Sequence, residues 1–152
     1  MTVVLLVHGH PGNGKSTLAE DLRDNHSFEM LSLDEEYVDF IRQYCPIVYL
    51  EALRKYVGPH YDCILSHREY SLKHFGRDFV GEWHTHLRNR IEELAGCHSR
   101  LVVEGYLLKD FKDDFQAKPP LNVQVFQIES TQFIYRHHGK TISVHQIAAL
   151  GN

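Results

Sequence analysis

Gly9-His10-Pro11-Gly12-Asn13-Gly14-Lys15-Ser16 fills every fixed position of G-x-x-x-x-G-K-S/T, the P-loop or Walker A pattern. Its flanks fit the same pattern. Val3-Val4-Leu5-Leu6-Val7 is an unbroken apolar run, as expected of a strand buried on both faces. Thr17 to Leu22 opens a helix, with Leu18 and Leu22 one turn apart on one face. A strand, a glycine-rich loop and a helix start are what phosphate binding needs. Gly9, Gly12 and Gly14 have no Cβ, so backbone N–H groups can come close to phosphate oxygens. The helix behind the loop turns its positive end and unpaired N–H groups toward the same anion. Lys15 can reach β- and γ-phosphates, and the Ser16 hydroxyl can ligate Mg²⁺.

Working outward, 152 residues suit one domain with a proper core. The composition, 43% apolar and 24% charged, is that of a water-soluble globular chain. No apolar run approaches the roughly 20 residues that span a bilayer, so no membrane partner is expected. The first apolar run meets Gly9-His10-Pro11-Gly12 at once and has no basic segment before it, unlike a secretory leader. Cys45, Cys63 and Cys97 are scattered and odd in number, which suits a reduced, cytoplasmic setting. A formal net charge of −4 argues against a large nucleic-acid footprint, though not against a short strand end as substrate.

Phe28 to Leu33 reads as a second strand with Asp34 at its C-terminal tip, where open α/β sheets bind ligands. There Asp34 is either a general base for an attacking hydroxyl or the N-cap of a helix over Glu35–Tyr44. Cys45-Pro46 breaks that helix. A short helix is expected over Val48–Val57. The aperiodic stretch His60–Gly76 reads as an insert over the ligand-binding edge or as a solvated loop. Asp78–Ala95 carries Val80, Trp83, Leu87, Ile91 and Leu94 at the spacing of a core-facing helix. Leu101-Val102-Val103-Glu104-Gly105-Tyr106 is the third strand and its exit. An acid at that tip holds Mg²⁺ in the Walker B arrangement, so Glu104 is the second metal candidate beside Ser16, against a helix cap or surface acid. Gly105 leaves room for a ligand, and Tyr106 borders the acceptor side.

Lys109–Lys118 is a surface helix or loop, and Leu121–Ile128 alternates as a fourth strand near the sheet edge. Ser130 is placed to cap a helix from Thr131 to His138, stopped by Gly139 and flanked by the cations Arg136 and Lys140. Ser143-Val144-His145-Gln146 has capping-box form, so Val144–Leu150 reads as a last helix; a short fifth strand at Thr141–Val144 competes with it. Twelve histidines are present without C-x-x-C or H-E-x-x-H spacing. His8 and His10 border the loop and either contact phosphate or pack against the sheet, while His137 and His138 are exposed or phosphate-facing.

The order of P-loop, strand-tip Asp34, third-strand Glu104 and Arg136 after the fourth strand resembles the small P-loop kinases. The similarity is closest to polynucleotide 5′-hydroxyl kinase domains and the AAA-type small-molecule kinases. The family's G-x-P-G-x-G-K-S-T is matched by Gly9-His10-Pro11-Gly12-Asn13-Gly14-Lys15-Ser16-Thr17. Leu33-Asp34-Glu35-Glu36-Tyr37 matches the segment whose Asp deprotonates the acceptor. Arg136-His137-His138-Gly139-Lys140 resembles the tail, with histidines where a second arginine is usual. The resemblance implies a three-layer α/β/α P-loop NTPase fold. Its small central parallel sheet would have four to five strands, ordered 2-3-1-4 with a fifth if present. It implies a single kinase domain over 1–152, with 35–77 as acceptor-binding or lid insert.

The implied cofactors are ATP and Mg²⁺. The implied machinery is Lys15, Asp34 and Arg136 for catalysis, with Gly9 through Thr17 and Lys140 holding the nucleotide. The activity implied is γ-phosphoryl transfer to a hydroxyl of a small molecule, nucleoside or polynucleotide 5′ end. The competing expectations are a nucleoside monophosphate kinase, which would want clustered arginines where Arg42, Arg54, Arg68 and Arg77 are spread out, and a degenerate protein that only binds ATP. A GTPase switch is excluded, since no Asn-Lys-x-Asp occurs and no Asp-x-x-Gly follows the third strand.

Overall fold

The computed structural model describes residues 1–44, 72–73 and 76–152. The chain divides into two compact units, Met1–Leu33 with Ile91–Asn152, and Asp34–Arg90. The expected helix Val48–Val57 and most of the expected insert 35–77 lie outside the described residues.

The first unit is built on β1 (Thr2–His8), followed by α1 (Lys15–His26) and β2 (Glu29–Ser32). After α2 (Leu33–Tyr44) and α3 (Phe79–Ala95) come β3 (Arg100–Glu104), a 3₁₀ turn (Tyr106–Asp110) and α4 (Lys112–Ala117). β4 (Val123–Thr131), β5 (Ile134–His137), β6 (Lys140–Thr141) and α5 (Val144–Ala148) complete it. The result is an α/β architecture with one six-stranded sheet, ordered β2-β3-β1-β4-β5-β6. β2, β3, β1 and β4 run parallel, in the expected order 2-3-1-4, and β5 and β6 add antiparallel at one edge.

β1 lies between β3 and β4, so its apolar run is covered on both sides and both faces; Val4, Leu5, Leu6 and Val7 are all fully buried. Each such side chain contributes about 1.5–3 kcal/mol by leaving water. The pleat divides them. Val3, Leu5 and Val7 face a core shared with Leu18, Ala19 and Leu22 of α1, Ile128 of β4 and Ile147 of α5. Val4, Leu6 and His8 alternate to the opposite face.

One sequence expectation fails here. The segment Thr131–His138 is not a helix. β4 continues to Thr131, the chain turns through Gln132-Phe133, and β5 runs back with Arg136 opposite Glu129 and Tyr135 opposite Ser130. A second two-residue turn at His138-Gly139 leads into β6, with His137 opposite Lys140. Both turns have positive φ at both residues, 50° and 63° in the first and 51° and 74° in the second, as a tight hairpin with right-handed strand twist requires. Thr131, Ile134 and Tyr135 are β-branched or aromatic, and the strand pairing uses them better than a helix would. The competing fifth strand at Thr141–Val144 shares only Thr141 with β6, and the hairpin gives the sheet six strands where four to five parallel ones are expected. The last helix starts at Val144 as expected and ends at Ala148 rather than Leu150.

In the second unit α2 begins at Leu33, so Asp34 lies inside its first turn beside Glu35 and Glu36 rather than capping it. All three carboxylates favour the helix dipole there. Trp83 is core, as its helical position predicts, at 1% exposure. Its ring lies 5.8 Å from Tyr37, 5.2 Å from Phe40 and stacked 5.9 Å from His86. Glu36 joins the two helices, accepting from His86 Nε2 and Arg90 Nε at 3.0 Å each. No helix among the described residues is long and apolar enough to cross a membrane.

Candidate functional site

β1 delivers the loop at its C-terminal end, and α1 leaves from the loop's far side. Gly14 is the N-cap of α1 at φ 97°, no side chain caps the helix, and no acid stands in its first turn. The first N–H groups of α1 are therefore offered to whatever the loop encloses. Two glycines are fixed by close approach as well as by conformation. A Cβ on Gly14 would come within 2.7 Å of the Phe133 ring, and one on Gly9, at φ 149°, would collide with the Ser130 carbonyl.

Lys15 turns back into the loop, its ammonium donating to the His10 carbonyl at 2.8 Å with the side chain 7% exposed. A cation held in the middle of the loop, beside the α1 N-terminus, is where a polyphosphate would meet both. Pro11, Gly12, Ser16 and Thr17 are exposed. Ser16 Oγ lies 3.5 Å from Glu104 Oε2. This meeting follows from register. Glu104 pairs with Val7, whose row faces α1, so the carboxylate points to the same side as the helix start. Glu104 is 3% exposed. A buried carboxylate beside a hydroxyl is a donor pair of the kind that hard cations choose, so these residues fit Mg²⁺. Among the described residues, no group of three or more His, Cys, Asp or Glu side chains gathers as a metal site of protein ligands alone.

The back of the loop is tied to the β4–β5 hairpin. Ser130 Oγ donates to the Asn13 carbonyl at 2.6 Å, and Phe133 N–H donates to the same oxygen at 2.9 Å. Tyr135 OH donates to the Gly14 carbonyl at 3.1 Å. Burial, then Asp21, raises the Tyr135 phenol above its ordinary range, so it remains a donor. Ser130, which the sequence assigns to a helix cap, instead spends its hydroxyl on the loop. The sequence reading gives Phe133 and Tyr135 no role; the signal for them is the strand-forming composition around Ile134.

A cavity of about 380 Å³ opens beside the first half of the loop, lined by His8, His10, Tyr106, Lys109 and Glu129 among others. That volume is within the usual range of small-molecule sites. The Lys109 ammonium sits 4.3 Å over the Tyr106 ring and 2.9 Å from its hydroxyl, and the His10 ring lies 5.9 Å from Tyr106. Tyr106 thus borders a cavity next to the loop. Burial and then Lys112 hold the His8 imidazole below its ordinary pKa, against the pull of Glu129 and Asp113. Gly105 does not leave room for a ligand: a Cβ there would come within 2.7 Å of Leu33 Cβ.

The remaining candidates stand elsewhere. Arg136 is exposed on β5 and lines a smaller cavity with His8, Gln127, Glu129 and His138. The row His8–Glu129–Arg136 belongs to the sheet face opposite α1. Lys140 is exposed on β6, three strands from β1, or about 14 Å at ordinary strand spacing. Neither flanks a helix stop as the sequence suggests. Asp34 is exposed, two residues beyond the end of β2.

No protein-family model matches the chain, and a search of curated proteins finds none similar to it.

Proposed function

We propose that this chain has the P-loop NTPase fold in its three-layer α/β/α form and acts as an ATP-dependent kinase on a hydroxyl-bearing acceptor. The observation that carries the reading is the joining of an uncapped α1 N-terminus, Lys15 folded over the loop, and Ser16 facing buried Glu104 within one unit. The order 2-3-1-4 supports it by putting the loop at the centre of the parallel strands.

In this reading the loop amides and Lys15 hold the phosphate tail and offset charge on the transferring group. Ser16 and Glu104 would hold Mg²⁺, which would supply positive charge against the phosphates. Asp34 takes the proton of the acceptor hydroxyl. The acceptor oxygen bonds to the γ-phosphorus as the bond to the bridging oxygen breaks, and ADP leaves. The cavity at His10, Tyr106 and Lys109 supports an acceptor on that side of the loop.

The test is product formation from labelled ATP across a panel of hydroxyl compounds, nucleosides, nucleoside monophosphates and 5′-hydroxyl oligonucleotides, with native protein and Asp34→Asn. Phosphorylated product is expected from the native chain, with kcat falling about 10²- to 10⁴-fold in Asp34→Asn while ATP still binds. Turnover only with a nucleoside monophosphate, indifferent to Asp34, would favour the nucleotide-kinase alternative. ATP binding without any product would leave an ATP-binding protein.

A further inference from the structure

Phe133 breaks two rules at once. It is a large apolar side chain left 60% exposed, and it sits at φ 63°, next to Gln132 at φ 50°. Tight hairpin turns with two positive φ values are ordinarily made by Asn, Asp or Gly, and a bulky residue there is an outlier. Such a conformation persists only where the surroundings hold it. Here they do. The Phe133 amide donates to the Asn13 carbonyl at 2.9 Å, and Ser130 and Tyr135 bond to the loop on either side of the turn. The ring lies against Gly14 on one side and is open to water on the other.

The position of Gly14 gives that open ring a use. In a loop of this pattern the amides cradle the α- and β-phosphates, while the lysine reaches β and γ. The Lys15 ammonium lies back at the His10 carbonyl, so the γ end of the tail belongs to the first half of the loop and the helix end, at Gly14, is the end nearest the nucleoside. An aromatic face standing there, rigidly attached to the loop itself, meets whatever follows the α-phosphate. We propose that Phe133 is the platform on which the base of the bound nucleotide stacks, and that it gives the site a preference for purine nucleoside triphosphates. Every base has a π-face, but the larger purine covers more of a ring of this size. The inference rests on the reading of the loop as a nucleotide site.

The test compares ATP, CTP and inorganic tripolyphosphate by titration calorimetry on the full chain with Mg²⁺. Phe133→Ala and Phe133→Trp are measured beside the native protein. The native chain is expected to bind ATP more tightly than CTP. Phe133→Ala should weaken ATP about tenfold and leave tripolyphosphate unchanged, while Phe133→Trp should restore ATP. Phe133→Leu, which keeps an apolar cover on Gly14 but has no π-face, should behave like Phe133→Ala and serves if that variant does not fold. Equal losses for ATP and tripolyphosphate would make Phe133 a structural prop and overturn the proposal. So would no loss for either, with the nucleotide site left standing if Lys15→Ala abolishes binding. Should Lys15→Ala leave tripolyphosphate and ATP binding intact, the nucleotide site itself falls, and this inference with it.

Discussion

Two helices of the first unit begin in opposite ways. At α5 the Ser143 hydroxyl accepts from Gln146 N–H at 3.2 Å, and the Gln146 side chain accepts from Ser143 N–H at 2.8 Å. The helix closes its own end with a capping box. At α1 the N-cap is Gly14, no side chain reaches back, and the first turn has no acid. Both ends face the same problem, four N–H groups without a helical partner and a positive dipole end. α5 solves it from within. α1 leaves it open, and around that opening stand Lys15 and a loop tied down by a neighbouring hairpin. In the proposed reading, the helix start left without a side-chain cap is the one that meets the nucleotide.

The comparison breaks most visibly at Lys15. Lys15→Ala removes the one ammonium held inside the loop by the His10 carbonyl. Calorimetry should register at least a hundredfold loss of ATP affinity, about 3 kcal/mol, the scale of a hydrogen bond to a charged group. Unchanged affinity would end the contrast, since α1 would then be merely an uncapped helix.

Gly14→Ala tests how tightly the opening is built. The new Cβ would stand at φ 97° and 2.7 Å from the Phe133 ring. The left-handed conformation alone costs about 1–2 kcal/mol. A fall in Tm of about 4 °C or more is expected for a chain of this size, along with weaker tripolyphosphate binding. Ser143→Ala is the counterpart at the closed end. It should cost about 1 kcal/mol and roughly 2–4 °C in Tm, with ATP affinity untouched. A change in ATP affinity there would mean that the two helix starts are not independent.

The same contrast explains what was legible in the sequence. The loop could be read because its chemistry is local: glycines, a lysine and a hydroxyl at fixed spacing, after an apolar run. The capping box was legible for the same reason. Glu104 was read from an apolar run that ends in an acid, and strand register then brings it to Ser16. The hairpin was not legible. Ser130 before Thr131 has the form of a helix cap, and Gly139 has the form of a helix stop. What decides for strand is the pairing of Ser130 with Tyr135 and of Glu129 with Arg136, together with three bonds to a loop more than a hundred residues away in sequence. Gln132-Phe133 contains neither Gly nor Asn, so the turn that seats Phe133 against Gly14 had no local signature. The sequence therefore places Arg136 in, and Lys140 just past the stop of, a helix that does not form.

The smallest expected effect lies at the rim of the loop, in His8. Burial first, and Lys112 second, depress its imidazole below the ordinary value of 6.5, so the folded chain prefers it neutral. An unfolded chain takes up the proton near that ordinary value while the folded one still resists. Stability from this group is therefore fully present above about pH 6.5. It declines as pH falls below that point, because protons then bind the unfolded state more readily. His8→Gln removes the titration. Its Tm should fall less steeply than that of the native chain between about pH 6.5 and 5, with the two curves parallel above pH 7. The difference is expected to be modest, since His8 is only half buried and Glu129 and Asp113 pull the other way. A native curve as flat as that of His8→Gln would show that water reaches the imidazole freely, and the rim of the loop would then be as open as Pro11 and Gly12 at its crest.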